Sequence, residues 1–159
     1  MHIRVISVGR IKERFLQDGI LEYEKRLRPY AKIQIIEVPE EKRPVSATPP
    51  IERAAMAKEG ERIFAAIPEG SYVVALDVNG EDWSSTALAE ALSRWELAGN
   101  NQIAFIIGGD LGLAPAVLSR SNLRLSLSHM TFTHPIARLL LIEQIYRAFR
   151  ILRGEPYHK

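Results

Sequence analysis

Ile103-Ala104-Phe105-Ile106-Ile107-Gly108-Gly109-Asp110-Leu111-Gly112 sets an unbroken apolar run directly against a glycine-rich turn. Five apolar residues in succession suit a strand buried on both faces, and such strands belong to parallel sheets covered by helices. Three glycines in the next five positions let the backbone approach a ligand closely and free N–H groups for hydrogen bonding. The spacing is not G-x-G-x-x-G and no Lys-Ser/Thr follows, which weakens the ordinary dinucleotide and nucleoside-triphosphate readings. A tight strand-to-helix turn accounts for the same glycines, so the residues alone leave both readings open.

Working outward, the pattern alternates. His2 to Val8 reads as a strand closed by Gly9, and Ile11 to Leu27 places Phe15, Ile20, Tyr23 and Leu27 at helical spacing until Pro29. Ile33 to Val38 is a second strand. Residues 39–50, with four prolines and a charge cluster, read as a long loop, either a lid or a connector. Ile51 to Ile67 is helical, Tyr72 to Leu76 is a buried strand, and Asn79-Gly80 reads as a turn. Ser84 or Ser85 caps a helix to about Leu97, stopped at Gly99-Asn100. After Ile103–Ile107 come a short helix, a strand at Leu123–Leu127 and a long helix from His134 to Arg153 with Pro135 at its first position. Strands separated by helices predict an α/β domain with a largely parallel sheet flanked by helices on both faces. One domain spanning residues 1–159 is expected at this length. Ligands of such sheets lie beyond the carboxyl ends of the strands, which directs attention to the loops after Leu76, Ile107 and Leu127.

The composition narrows the chemistry. There is no cysteine among the 159 residues, so disulfides, Cys-ligated metals and thiolate nucleophiles are excluded. No apolar run approaches the ~20 residues of a membrane span, and no secretory leader is visible, so a bacterial-type cytoplasmic protein without a membrane partner is expected. The net charge of +2 conceals opposed parts. Residues 1–32 carry +4, residues 33–119 carry −7 and residues 120–159 carry +5. A fold that joined the termini would own a basic face suited to a polyanion, although solvated Lys and Arg on surface helices give similar counts.

Three segments could carry function. Leu127-Ser128-His129-Met130-Thr131-Phe132-Thr133-His134-Pro135 joins a buried strand to a helix N-terminus, where free N–H groups favour an anionic group. Structurally, Thr133 or His134 would be the N-cap there, with His134 preferred. At 100° per residue Arg138 falls on the apolar face with Leu141, Ile142, Ile145 and Phe149, so it is either paired with a carboxylate or placed at a cleft or subunit interface. Beyond Gly154, Pro156-Tyr157-His158-Lys159 offers an aromatic platform, an imidazole and a cation. Terminal position by itself predicts fraying.

Together these motifs resemble the RlmH family, SPOUT-class methyltransferases of large-subunit ribosomal RNA. The resemblance runs through Val5-Ile6-Ser7-Val8-Gly9, Glu22-Tyr23-Glu24-Lys25-Arg26-Leu27, Leu76-Asp77 with Gly80 and Ser85, and Phe105-Ile106-Ile107-Gly108-Gly109 with Gly112. It continues through Ser126 to Thr131, His134-Pro135, Arg138, Glu143-Gln144, Tyr146-Arg147 and Pro156-Tyr157-His158. Lys159 stands where the family pattern leads one to expect Arg. The resemblance implies a trefoil-knotted α/β fold, something periodicity cannot supply because knots are nearly absent from ordinary folds. It also implies a homodimer, S-adenosylmethionine as methyl donor with no metal, and N3 of a pseudouridine in a 23S ribosomal RNA hairpin as acceptor, on assembled ribosomes. The donor site it implies comprises Leu76, Gly108, Leu127, Ser128, His129, Met130, Thr131 and Phe132. Arg138, Tyr157 and His158 are the expected catalytic residues, with His158 the candidate base. A non-catalytic RNA-binding module and a nucleotide-binding enzyme of other chemistry are the competing readings; the second would require a phosphate-loop Lys or a ribose-binding acid, and neither is evident.

Overall fold

The computed structural model describes Met1–Lys159. Its elements are β1 (His2–Val8), α1 (Arg14–Leu27), β2 (Lys32–Val38), α2 (Pro49–Ala66) and β3 (Tyr72–Asp82), followed by α3 (Ser85–Leu97), β4 (Gln102–Ile107), α4 (Pro115–Arg120), β5 (Leu123–Ser126) and α5 (His134–Leu152). The sheet order is β2-β1-β4-β3-β5, and every pair is parallel. All carboxyl ends therefore open on one edge.

The side-chain period of two divides the interior. Ile3, Val5, Val74, Ile103 and Phe105 meet α1, α3 and α5 on one face. Ile6, Val8, Val73, Ala104 and Ile106 meet α2 and α4 on the other. This explains why the strands read as continuous apolar runs: both faces are covered. Each fully buried Ile or Leu contributes about 1.5–3 kcal/mol relative to exposure.

Three local expectations are corrected. The first helix begins at Arg14, and its buried residues are Leu16, Ile20 and Leu27, while Phe15 is 71% exposed. Phe15 sits one position off the core stripe. Asn79-Gly80 does not end β3. Leu76 and Glu81 both align with Leu125 of β5, so residues 77–80 swell out of the strand before pairing resumes. Gly80 permits this because a Cβ there would lie 2.6 Å from the Arg124 backbone. At α5, Thr133 is the N-cap, without a side-chain cap bond, and His134 is already helical. By contrast, Ser84 caps α3 by accepting from the Ala87 amide at 3.1 Å.

Candidate active site

A cavity of about 840 Å³ opens at the carboxyl ends of the strands. It is built from the three segments expected to matter: residues 76–79, the swelling of β3; residues 107–113, the glycine turn after β4; and residues 127–137, from the end of β5 into α5. Each is shaped by its own local chemistry. The Asn79 amide donates to Asp77 Oδ1 at 3.1 Å, and Arg124 Nε holds Asp77 Oδ2 at 2.7 Å. Ser126 Oγ donates to the Ser128 carbonyl at 3.0 Å, and the Met130 amide donates to Ser128 Oγ at 3.0 Å. Gly108 is packed so closely that a Cβ would stand 2.7 Å from the Gly112 carbonyl carbon.

Of the expected donor-site residues, Leu76, Gly108, Leu127, Ser128, Met130, Thr131 and Phe132 line this cavity. His129 does not. Its ring turns outward, with Nε2 2.8 Å from Asp82 Oδ2. The lining holds Glu13, Asp77 and Asp110 but no Lys or Arg. The nearest guanidinium groups, Arg124 and Arg43, are committed to Asp77 and Asp110, so a phosphate would find no free cation in the lining, whereas a donor with a positive sulfonium and a flat base to lay on Leu76, Leu127 and Phe132 suits it. The volume is in the range of small-molecule sites. These residues fit S-adenosylmethionine.

Arg138 is elsewhere. It is 2% exposed, with Nη1 2.6 Å from Glu37 Oε1 and Nη2 donating to the Gly9 carbonyl at 3.1 Å. Of the alternatives open in the sequence, carboxylate pairing describes it, and this buried guanidinium ties α5 to the ends of β1 and β2. Arg138→Met is therefore expected to cost about 2–4 kcal/mol in urea unfolding, less than for a fully buried pair because Glu37 keeps access to water. Unchanged stability together with lost turnover would instead restore an RNA-contact role for Arg138.

Tyr157 and His158 form a second cluster, and the tail is docked rather than frayed. Tyr157 donates to Glu143 Oε1 at 2.9 Å, its hydroxyl is 3.1 Å from that of Tyr23, and its ring packs edge-on against Tyr146. The Arg147 guanidinium lies 4.6 Å from the Tyr157 ring centroid and bonds Glu143 Oε1 at 2.5 Å. His158 Nδ1 is 3.5 Å from Arg147 Nη1. Arg150 Nη1 reaches Glu155 at 2.6 Å, and Arg150 Nη2 donates to the Pro156 carbonyl at 3.1 Å. Burial, together with hydrogen bonds to Tyr23 and Glu143, pushes the Tyr157 hydroxyl well above the ordinary phenol range. It donates to Glu143 as a neutral hydroxyl. The hydrogen bond to Glu143 likewise holds Arg147 firmly cationic.

Tyr23 lies on α1, so this cluster also joins the two basic ends of the chain, with Arg26 5.2 Å from the Tyr23 ring. Sequence reasoning gave Glu143 and Arg147 no role, although their i,i+4 spacing on a helix is the signature of a pair. The two clusters are apart. Nothing beyond Ala137 lines the cavity, and Arg147 lies ten residues further along α5, about 15 Å at the helical rise.

A family model described as "Predicted SPOUT methyltransferase" matches residues 1–158. The chain belongs to the SPOUT methyltransferase family. Ribosomal RNA large subunit methyltransferase H of Symbiobacterium thermophilum is 52% identical over 161 residues, and that of Carboxydothermus hydrogenoformans 50% over 159, in each case across the whole of both chains. A protein of Methanoregula boonei, provisionally given the same name, is 60% identical over 159 residues, again complete on both sides. Among solved structures, a methylase-family protein of Haemophilus influenzae Rd KW20 superposes with a TM-score of 0.57 at 15% identity, covering 99% of this chain and 70% of the other. That likeness concerns the fold alone. SPOUT membership makes this an S-adenosylmethionine-dependent methyltransferase with the family's mostly parallel α/β sheet. No helix is long and apolar enough to cross a membrane.

Proposed function

We propose that this SPOUT methyltransferase methylates N3 of a pseudouridine in 23S ribosomal RNA on assembled ribosomes, and that it works as a homodimer. The observation that carries the reading is the cation-free cavity at the strand ends, set against a separate basic and aromatic cluster at the tail. One holds a positively charged donor and the other suits RNA. Relatives named for the ribosomal large subunit, and matching end to end, support the substrate class.

When bound, the donor supplies an electrophilic methyl group, which needs only an in-line nucleophile. The chain does the rest. The turn at Gly108 and the run from Leu127 to Phe132 hold the adenosyl portion through backbone groups and apolar side chains. Tyr157, its hydroxyl fixed by Tyr23 and Glu143, offers its ring as a platform to the target nucleotide. Arg147, rather than Arg138, is the cation beside that platform. N3 of a pseudouridine is an imide nitrogen between two carbonyls, and its proton passes to the exposed imidazole of His158 as the methyl arrives.

Because the tail stands apart from the cavity of its own chain, a second copy supplies it. Phe15 and Ile136 expose apolar surface on α1 and α5, and Leu139 packs against Gly19 between these helices. Ile136 stands between Pro135 and Ala137, which line the cavity, and this face is the surface on which two copies meet.

A chain of this size has little area for reading RNA sequence, so ribosomal shape and charge contribute recognition. Labelled methyl transfer onto naked ribosomal RNA, isolated large subunits and complete ribosomes tests the reading. The expected result is label on complete ribosomes, recovered as N3-methylpseudouridine. No label on any of the three would overturn it.

A further inference from the structure

The segment between β2 and α2 is fastened at both ends of a short span. The Glu41 amide donates to Glu59 Oε2 at 3.0 Å, and Arg62 Nη1 donates to the Pro39 carbonyl at 2.9 Å. The Glu41 carboxylate is held by Arg62 and Lys58, and Arg62 beside it keeps that carboxyl below the usual carboxylate range. Two residues on, Arg43 reaches across to Asp110 with both prongs, Nη1 to Oδ1 at 3.2 Å and Nη2 to Oδ2 at 2.5 Å. Asp110 is the centre of the glycine turn and lines the cavity.

The same turn is backed from below. Glu59 is 4% exposed, and its Oε1 lies 3.7 Å from where a Cβ on Gly109 would stand, beside Val8 Cγ1 at 3.3 Å. Gly108–Gly112 is thus gripped by Arg43 from outside and by Val8 and Glu59 from within. Nothing in methyl transfer itself uses Arg43, Glu41 or Glu59. Glycine-rich backbone has much conformational freedom to lose on binding, so a turn already ordered by outside contacts binds more tightly.

We propose that residues 39–43 form a strap that orders the glycine turn, with Arg43 a positioning residue that sets affinity for the methyl donor. This rests on the reading of the cavity as the donor site. It assigns a task to the proline-rich loop, which the methyl-transfer chemistry leaves idle. The strap is held at two points, by Glu59 at the Glu41 amide and by Asp110 at Arg43.

The test uses the full chain and S-adenosylhomocysteine as probe. Arg43→Ala is expected to weaken binding by about threefold to tenfold, the scale of a two-pronged, partly shielded ion pair. In turnover the loss falls on KM for the donor rather than on kcat. Arg43→Lys recovers part of the affinity, because Lys keeps the charge without the fork. Arg43→Ala combined with Asp110→Asn costs less than the sum of the two single changes, as expected for directly coupled groups. Hydrogen exchange of the ligand-free protein separates this from general destabilisation: Arg43→Ala should speed exchange at residues 109–113 and leave the β1 and β4 amides unchanged. Wild-type binding with no loss in Arg43→Ala overturns the strap. Failure of the wild type to bind the probe overturns the donor-site reading instead, and the exchange data still decide whether Arg43 orders the turn.

Discussion

Gly108→Val is expected to abolish donor binding, lowering affinity at least about 100-fold, equivalent to about 2.7 kcal/mol. The reason is steric and local. A Cβ at Gly108 would meet the Gly112 carbonyl carbon at 2.7 Å, its oxygen at 2.8 Å and the Leu113 amide nitrogen at 3.0 Å. These are backbone atoms and cannot rotate aside, so the turn must open, and overpacking of this kind costs about 1–3 kcal/mol before any ligand contact is lost. Gly70→Ala is the control. Gly70 has φ +74° with open space around its Cβ, so alanine there strains a remote turn and lowers stability without touching the cavity. Calorimetry with S-adenosylhomocysteine and a thermal melt should show lost affinity for the first variant, and retained affinity with modest destabilisation for the second. Retained affinity in a folded Gly108→Val protein would remove the glycine turn from the donor site.

The order of elements was legible because the sheet is parallel and covered on both faces. Ile103–Ile107 and Tyr72–Leu76 read as apolar runs for that reason, and Gly99 and Ser84 mark the helix boundaries they occupy. The three loops that build the cavity followed from strand polarity alone. Phe15 misled because an amphipathic helix tolerates an apolar residue beside its core stripe, and helical spacing does not say which neighbour turns inward. Asn79-Gly80 misled because turn chemistry also serves a swelling within a strand, and only pairing with Leu125 distinguishes the two.

Side-chain roles were less accessible. Arg138 was rightly placed on the apolar face, but its partner Glu37 is 101 residues away in sequence, so the choice between carboxylate and cleft could not be made from spacing. Tyr157 and His158 looked like a loose end because the partners that dock them, Tyr23 and Glu143 for the first and Arg147 for the second, lie on two other segments. His129 belongs to the right loop, yet its ring faces Asp82 and not the cavity, a matter of side-chain direction that the sequence does not carry. The threading implied by the family came from resemblance, since hydrophobic periodicity is blind to the order in which segments pass one another.

Loss of the tail groups should be the other severe lesion. Tyr157→Ala combined with His158→Ala removes the aromatic platform and the candidate base, and turnover is expected to fall by about 100-fold or more, the scale of a lost general base. Donor affinity should survive, because the adenosyl portion is held by the glycine turn and the loop after β5 rather than by the tail. Whether the donor pocket of one copy works with the tail of another is tested by mixing this double variant with Gly108→Val. Each protein alone is inactive in labelled methyl transfer to ribosomes. If the site is shared between copies, equimolar exchange of subunits yields half mixed dimers, each with one intact pocket facing one intact tail, and activity returns to about a quarter of wild type. If each chain completes its own site, the mixture stays as inactive as its components, and a site shared between copies is ruled out.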